Sequence, residues 1–168
     1  MVIEIILSSL FFLQENLIDW NENYRLKYSD FNGKVINYNK DKPEGKLVLK
    51  TTWTANKNDN EPPFFKIYNK FDKSNSSLSE NHLDILNEYQ FIWNLHELYI
   101  RKMRKEIQKL NDDRNTNLEL YQNVINKNIK LFNKERKRYE GILQNQPHFF
   151  KILNEDYKDS LFIYQDYR

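Results

Sequence analysis

From about Ser79 onward, apolar side chains recur every three to four positions, and this period constrains the fold more than any other feature of the chain. Leu86, Tyr89, Ile92 or Trp93, Leu95 or His96, Tyr99, Met103, Ile107 and Leu110 form one stripe, the spacing of a helix with one buried face. Asn111 to Asn117 breaks the pattern. A second stripe follows through Leu118, Tyr121, Val124 or Ile125, Ile129, Phe132, Tyr139 and Ile142 or Leu143, with Gly141 and Pro147 as its expected end. Two long helices with a short polar connection make an antiparallel hairpin. Each stripe lasts about four heptads and is rich in aromatics, which favours packing on a sheet over a coiled coil.

The first half supplies that sheet. Lys46 to Thr54 is rich in β-branched and aromatic residues, and Leu47, Leu49 and Trp53 alternate as a half-buried strand requires. Phe64 to Phe71 is a second such run. Lys57 to Pro63 and Ser74 to Ser79 read as loops, and Asn32-Gly33 as a turn. The expected class is α+β, with a small antiparallel sheet in the N-terminal half packed on the two helices. Residues 17–146 form the domain, and 147–168 an aromatic tail able to make one more short helix.

The 168 residues suit one domain, since single domains commonly run to roughly 100–200 residues. The 26 basic and 24 acidic side chains nearly cancel, so nothing in the balance points to nucleic acid. The absence of cysteine excludes disulfides, thiolate chemistry and cysteine metal sites. Ile3 to Leu13 is apolar but shorter than the ~20 residues a bilayer span needs. Its length fits a signal-peptide core within residues 1–16, although Glu4 interrupts it and no Lys or Arg precedes it. Export is the expectation; a cytoplasmic chain with this run packed on the core is the alternative.

Candidate chemistry is sparse. A catalytic zinc usually takes three protein ligands. The three histidines are His82, His96 and His148, and no two have the i, i+4 spacing of a helical zinc motif. His96 reads as a satisfied residue at the edge of the apolar stripe, His82 as a helix-start or surface residue, and His148 as part of a turn. No nucleophile elbow and no glycine-rich phosphate loop can be drawn. Glu88 and Glu97 are nine positions apart on one helix, hence about 180° apart at ~100° per residue, and cannot form an acid/base pair. Arg101, Lys102, Arg104 and Lys105, and then Lys134, Arg136, Lys137 and Arg138, read as solvated helix faces.

A family resemblance emerges from three blocks. Trp20 to Gly33 resembles the opening of a bacterial family of predicted secreted zinc-dependent peptidases, matching it at Arg25, Leu26, Ser29, Asp30, Phe31 and Gly33. Tyr68 to Leu78 is similar to the family's next block at Phe71, Asp72 and Ser77. Ile85 to Lys105 keeps the character of its His-Glu-Gln-x-His-Phe-Asp helix at Gln90, Leu95, Glu97, Leu98, Tyr99, Arg101, Lys102, Arg104 and Lys105. By that resemblance Glu88 stands at the first zinc-ligand position, Tyr89 at the catalytic Glu, Ile92 at the second ligand and Lys127 at the third. Ile has no donor atom and a Lys ammonium has no lone pair to give.

The resemblance thus implies a minimal zincin-like fold in which Glu88, Ile92 and Lys127 converge without metal. The expectation is no catalytic residue, no metal and no cofactor. It is also a protein or peptide partner for a pseudo-peptidase, with a groove between the first helix and the sheet edge. An unrelated helical-hairpin interaction protein is the alternative. An enzyme would have to use Glu88, Glu97, His96 or Tyr99.

Overall fold

The computed structural model describes residues 16–35, 45–56, 61–79, 83–145 and 149–168. The apolar run before Asn16, His82, Pro147 and His148 lie outside them. Strands β1 (Leu17–Asp19), β3 (Leu49–Asn56) and β4 (Phe64–Asp72) form an antiparallel sheet in the order β1-β4-β3, and β2 (Gly45–Lys46) pairs with β5 (Ser77–Leu78). Helices α1 (Leu83–Asp112), α2 (Leu118–Asn145) and α3 (Phe149–Ile163) follow, so the class is α+β as the periodicities require.

Strand β4 is the centre of the sheet. Ile67, Asn69 and Phe71 alternate inward and are buried, while Phe64, Lys66 and Tyr68 face out. The inward row lies on α1, whose Ile92, Trp93, Ile100 and Met103 are fully buried. One apolar cluster joins Phe71, Trp93, Phe132, Tyr157 and Leu161, and a second joins Ile67, Ile100, Ile107, Tyr121 and Ile125. The core is therefore a sheet face, the α1 stripe and two flanking helices. Leu47, just before β3, and Leu49 on it pack as expected, but Trp53 is 40% exposed. It pairs with Ile67 at the far end of an edge strand, where the helices cover it only in part.

The hairpin turns at Asp113–Asn117, where Asn115 N donates to Leu110 O and Arg114 takes a left-handed φ of 51°. Asn117 Oδ1 caps the next helix by accepting from Glu119 N at 3.0 Å. Gly141 does not end α2, which continues to Asn145. One glycine in a helix costs only about 1 kcal/mol, less than the packing of a helix already 23 residues long contributes. Among the described residues no helix is long and apolar enough to cross a membrane.

Candidate functional site

A hub of buried polar groups sits between β4 and α1. Asn69 occupies an inward strand position and is 3% exposed. Its Oδ1 accepts from Trp93 Nε1 at 3.1 Å, and its Nδ2 donates to Glu97 Oε2 at 3.2 Å. His96 Nδ1 lies 2.7 Å from the same Oδ1, so Nδ1 carries the proton and Nε2 accepts from the Thr51 hydroxyl at 2.9 Å. Burial, helped by the Arg136 charge, pushes the His96 pKa down to about 3, so the ring is neutral. It is more deeply buried than its stripe-edge position suggested, and both ring nitrogens are satisfied.

One helix turn along, the expected solvated basic face is solvated only in part: Lys105 is exposed, Lys102 and Arg104 are half-buried and Arg101 is sealed. Arg101 is 1% exposed, its Nε donating to Glu97 Oε1 at 3.3 Å and its Nη1 to Leu161 O at 3.1 Å. Arg104 Nη1 donates to the same Glu97 oxygen at 3.1 Å and to Tyr167 O at 2.9 Å, while its Nε and Nη2 reach Ile67 O. Lys102 lies 4.5 Å from the Tyr99 ring centroid, and Lys105 5.2 Å from that of Tyr164. The reason for the correction is α3 and the turn after it, which lie along this face of α1 and bring carbonyls and rings to its cations. The second cluster fits its expectation better: Lys134, Lys137 and Arg138 are exposed, and only Arg136 turns inward, to Leu47 O and Glu140.

Around Arg101 the surface opens into a cleft with two lobes. One, of about 430 Å³, lies between the 20–25 loop, α1 and α3, with Asn87, Gln90, Asn94, Asn154 and Tyr157 in its walls. The other, of about 400 Å³, lies between α1 and the β1 edge of the sheet, lined by Asp19, Tyr68, Asn69, Glu97 and Arg104. Trp20, Glu22, Asn23, Arg101 and Arg168 belong to both. Trp20 Nε1 donates to Asn94 Oδ1 at 3.1 Å and its ring lies 5.3 Å from the Arg101 guanidinium carbon, so the loop is fastened over the cation. The Tyr157 hydroxyl donates to Asn94 O and fixes α3 against the same turn of α1.

The positions singled out by the family resemblance lie elsewhere. Glu88 lies under the charges of Arg136 and Glu140 on α2, which pair at 2.6 Å, and Tyr89 packs beside Phe31 and Gly45. Burial, with repulsion from Glu140 and opposed by Arg136, raises the Glu88 pKa to about 7. Burial and the Glu88 charge raise the Tyr89 phenol as well. Ile92 is completely buried in the core. Lys127 does not join them. It pairs with Glu106 at 2.8 Å, 14 positions beyond Ile92 and so about 21 Å along α1 at 1.5 Å per residue. The expected convergence of Glu88, Ile92 and Lys127 therefore fails, because the hairpin register sets Lys127 beside Glu106 and brings Arg136 and Glu140 to Glu88.

Glu97 and Glu88 lie on opposite sides of α1, as their spacing requires, and Tyr99 packs on Phe132 away from the cleft. Sequence reasoning missed Asn69 and the cleft role of Arg101. A signal existed for each: Asn69 interrupts the inward row between Ile67 and Phe71, and Arg101 follows Glu97 at i+4. Among the described residues, no three His, Cys, Asp or Glu side chains are grouped so as to hold a metal ion. Comparison with known proteins finds no matching family, no matching curated protein and no matching solved structure.

Proposed function

We propose that this domain is a binding module rather than a hydrolase. Its ligand is a peptide or a protein segment, and the site is the two-lobed cleft beside α1. The reading keeps the resemblance to a zinc-peptidase helix and treats Glu88, Tyr89 and Ile92 as ligand and base positions given over to packing and ion pairing. One lobe of the cleft, lined by Asp19, Tyr68 and Asn69, lies between the first helix and the sheet edge.

One observation carries this reading: the buried acid and imidazole beside the cleft are committed as structural partners, and the exposed acids on its rim, Asp19 and Glu22, are paired with Lys70 and Arg168. Glu97 accepts from Asn69, Arg101 and Arg104, and His96 is held neutral between Thr51 and Asn69. A general acid or base must reach the proton it transfers within hydrogen-bond distance; both Glu97 oxygens and both His96 ring nitrogens already have partners. What the cleft offers a ligand is amide groups, a Trp ring and guanidinium donors, which is recognition chemistry. Lys127 lends the family resemblance no support, so the resemblance rests on the block from Ile85 to Lys105 and on the two blocks before it.

The test incubates the full chain with a mixed peptide pool, with zinc added, and follows retention by equilibrium dialysis and cleavage by mass spectrometry. Peptides retained at unchanged mass are the expected result. Cleavage that a chelator abolishes would overturn the proposal.

A further inference from the structure

Resting on the binding reading, we propose that the cleft recognises the terminal carboxylate of a short peptide, with the Arg101 guanidinium as the anion's partner. Arg101 is buried, yet its Nη2 has no hydrogen-bond partner. A guanidinium carries five N–H donors, two of them on Nη2, and leaving these unmet inside a protein is costlier for a charged group than for a neutral one. The charge around it is also unbalanced. A single carboxylate, Glu97, faces two guanidiniums, Arg101 and Arg104, which leaves an excess of one positive charge. Both lobes of the cleft meet at Arg101.

The chemistry selects a carboxylate. The Trp20 ring lies against the guanidinium, Nε and Nη1 are held by Glu97 and Leu161 O, and the charged Nη2 group is left to donate to a carboxylate oxygen. A single negative charge balances the excess within the Glu97, Arg101 and Arg104 group, while Arg25, Lys158 and Arg168 add positive charge along the lobe. A phosphate group near neutral pH brings almost two, beside Glu97 and Glu22. The walls point to a peptide. Asn23, Asn87 and Asn154 are amides, able to donate to and accept from backbone amides, while Gln90 is held by Leu26 N and Asn94. Asn94 already spends its Oδ1 on Trp20 Nε1 and Gln90 Nε2, which leaves its Nδ2 as a donor. A lobe of about 430 Å³ is in the range that holds a small ligand. Arg168, which lines both lobes, reaches Glu22 at 3.5 Å through side chains 62% and 58% exposed. Such a pair is weak in water and is the contact an arriving carboxylate displaces to reach Arg101.

The experiment is a calorimetric titration of the full chain with N-acetyl-dialanine, its C-terminal amide, acetate and inorganic phosphate. The peptide acid is expected to bind roughly ten- to a hundred-fold more tightly than the amide, the range for a hydrogen bond to a charged group. Equal affinity for acid and amide overturns carboxylate recognition while leaving peptide binding intact. Phosphate binding more tightly than the acid, or acetate matching it, overturns the peptide carboxylate as the ligand. Binding of none of the four overturns this inference and also counts against the reading it rests on. The Arg101→Met variant should lose the distinction between acid and amide. Should it fail to fold, the Arg101 Nε–H resonance of the unaltered chain decides: it shifts on adding the acid and not the amide, and a resonance unmoved by the acid overturns the proposal.

Discussion

The buried His96 and the half-buried Glu88 make opposite contributions to stability. Glu88 titrates at about 7 in the folded chain against an ordinary 4.5. The folded form therefore keeps this proton longer, and the Glu88 contribution is fully present below pH 4.5 and lost as pH rises through 7. His96, at about 3 against 6.5, contributes above pH 6.5 and loses that contribution as pH falls. The two slopes oppose each other between pH 4.5 and 6.5, so the difference between variant and parent is the informative quantity. Glu88→Gln should gain stability over the parent by on the order of 2–3 kcal/mol between pH 5 and pH 8, at about 1.36 kcal/mol per pKa unit. Urea unfolding of both chains at the two pH values measures it. A difference that does not change with pH would contradict the half-buried, Glu140-repelled environment assigned to Glu88.

At the scale of elements, the link from the N-terminal segment to the sheet depends on one close approach. Gly33 N donates to Ser76 O at 2.8 Å, and a Cβ on Gly33 would stand 2.7 Å from that same carbonyl oxygen. Because the obstacle is backbone, Gly33→Ala should destabilise by about 1–3 kcal/mol, the usual cost of overpacking. A thermal melt checks this, and an unchanged midpoint would contradict the contact. The helices and β4 were legible in the sequence because period 3.6 and period 2 are written in the residues that touch. The hairpin register was not. It is set by how tightly Asp113–Asn117 turns, through Asn115 N on Leu110 O and the Asn117 cap, and no apolar stripe encodes that. This is why Lys127 was expected beside Glu88 and is found beside Glu106. The burial of Arg101 was equally hidden, because it depends on α3 returning to the far side of α1, and sequence spacing along α1 says nothing of its neighbours.

For the molecule as a whole, the sheet and α2 lie against two sides of α1 and α3 against a third, and the cleft opens where the 20–25 loop meets α1, α3 and the sheet edge. Net charge of +2 gives no hint of a site, yet Arg101, Arg104 and Arg168 gather at this one place, with Glu97 and Glu22 as the acids that pair with them. Glu88, Tyr89 and Ile92 lie away from this cleft, the acid beside Arg136 and Glu140 of α2 and the alkyl group sealed in the core. A zinc ion needs several electron-pair donors converging on one point. The most direct measurement is the zinc content of the purified full chain, by elemental analysis after equilibration with excess zinc and removal of the unbound metal. The account predicts far less than one zinc per chain. One tightly held zinc per chain would contradict it.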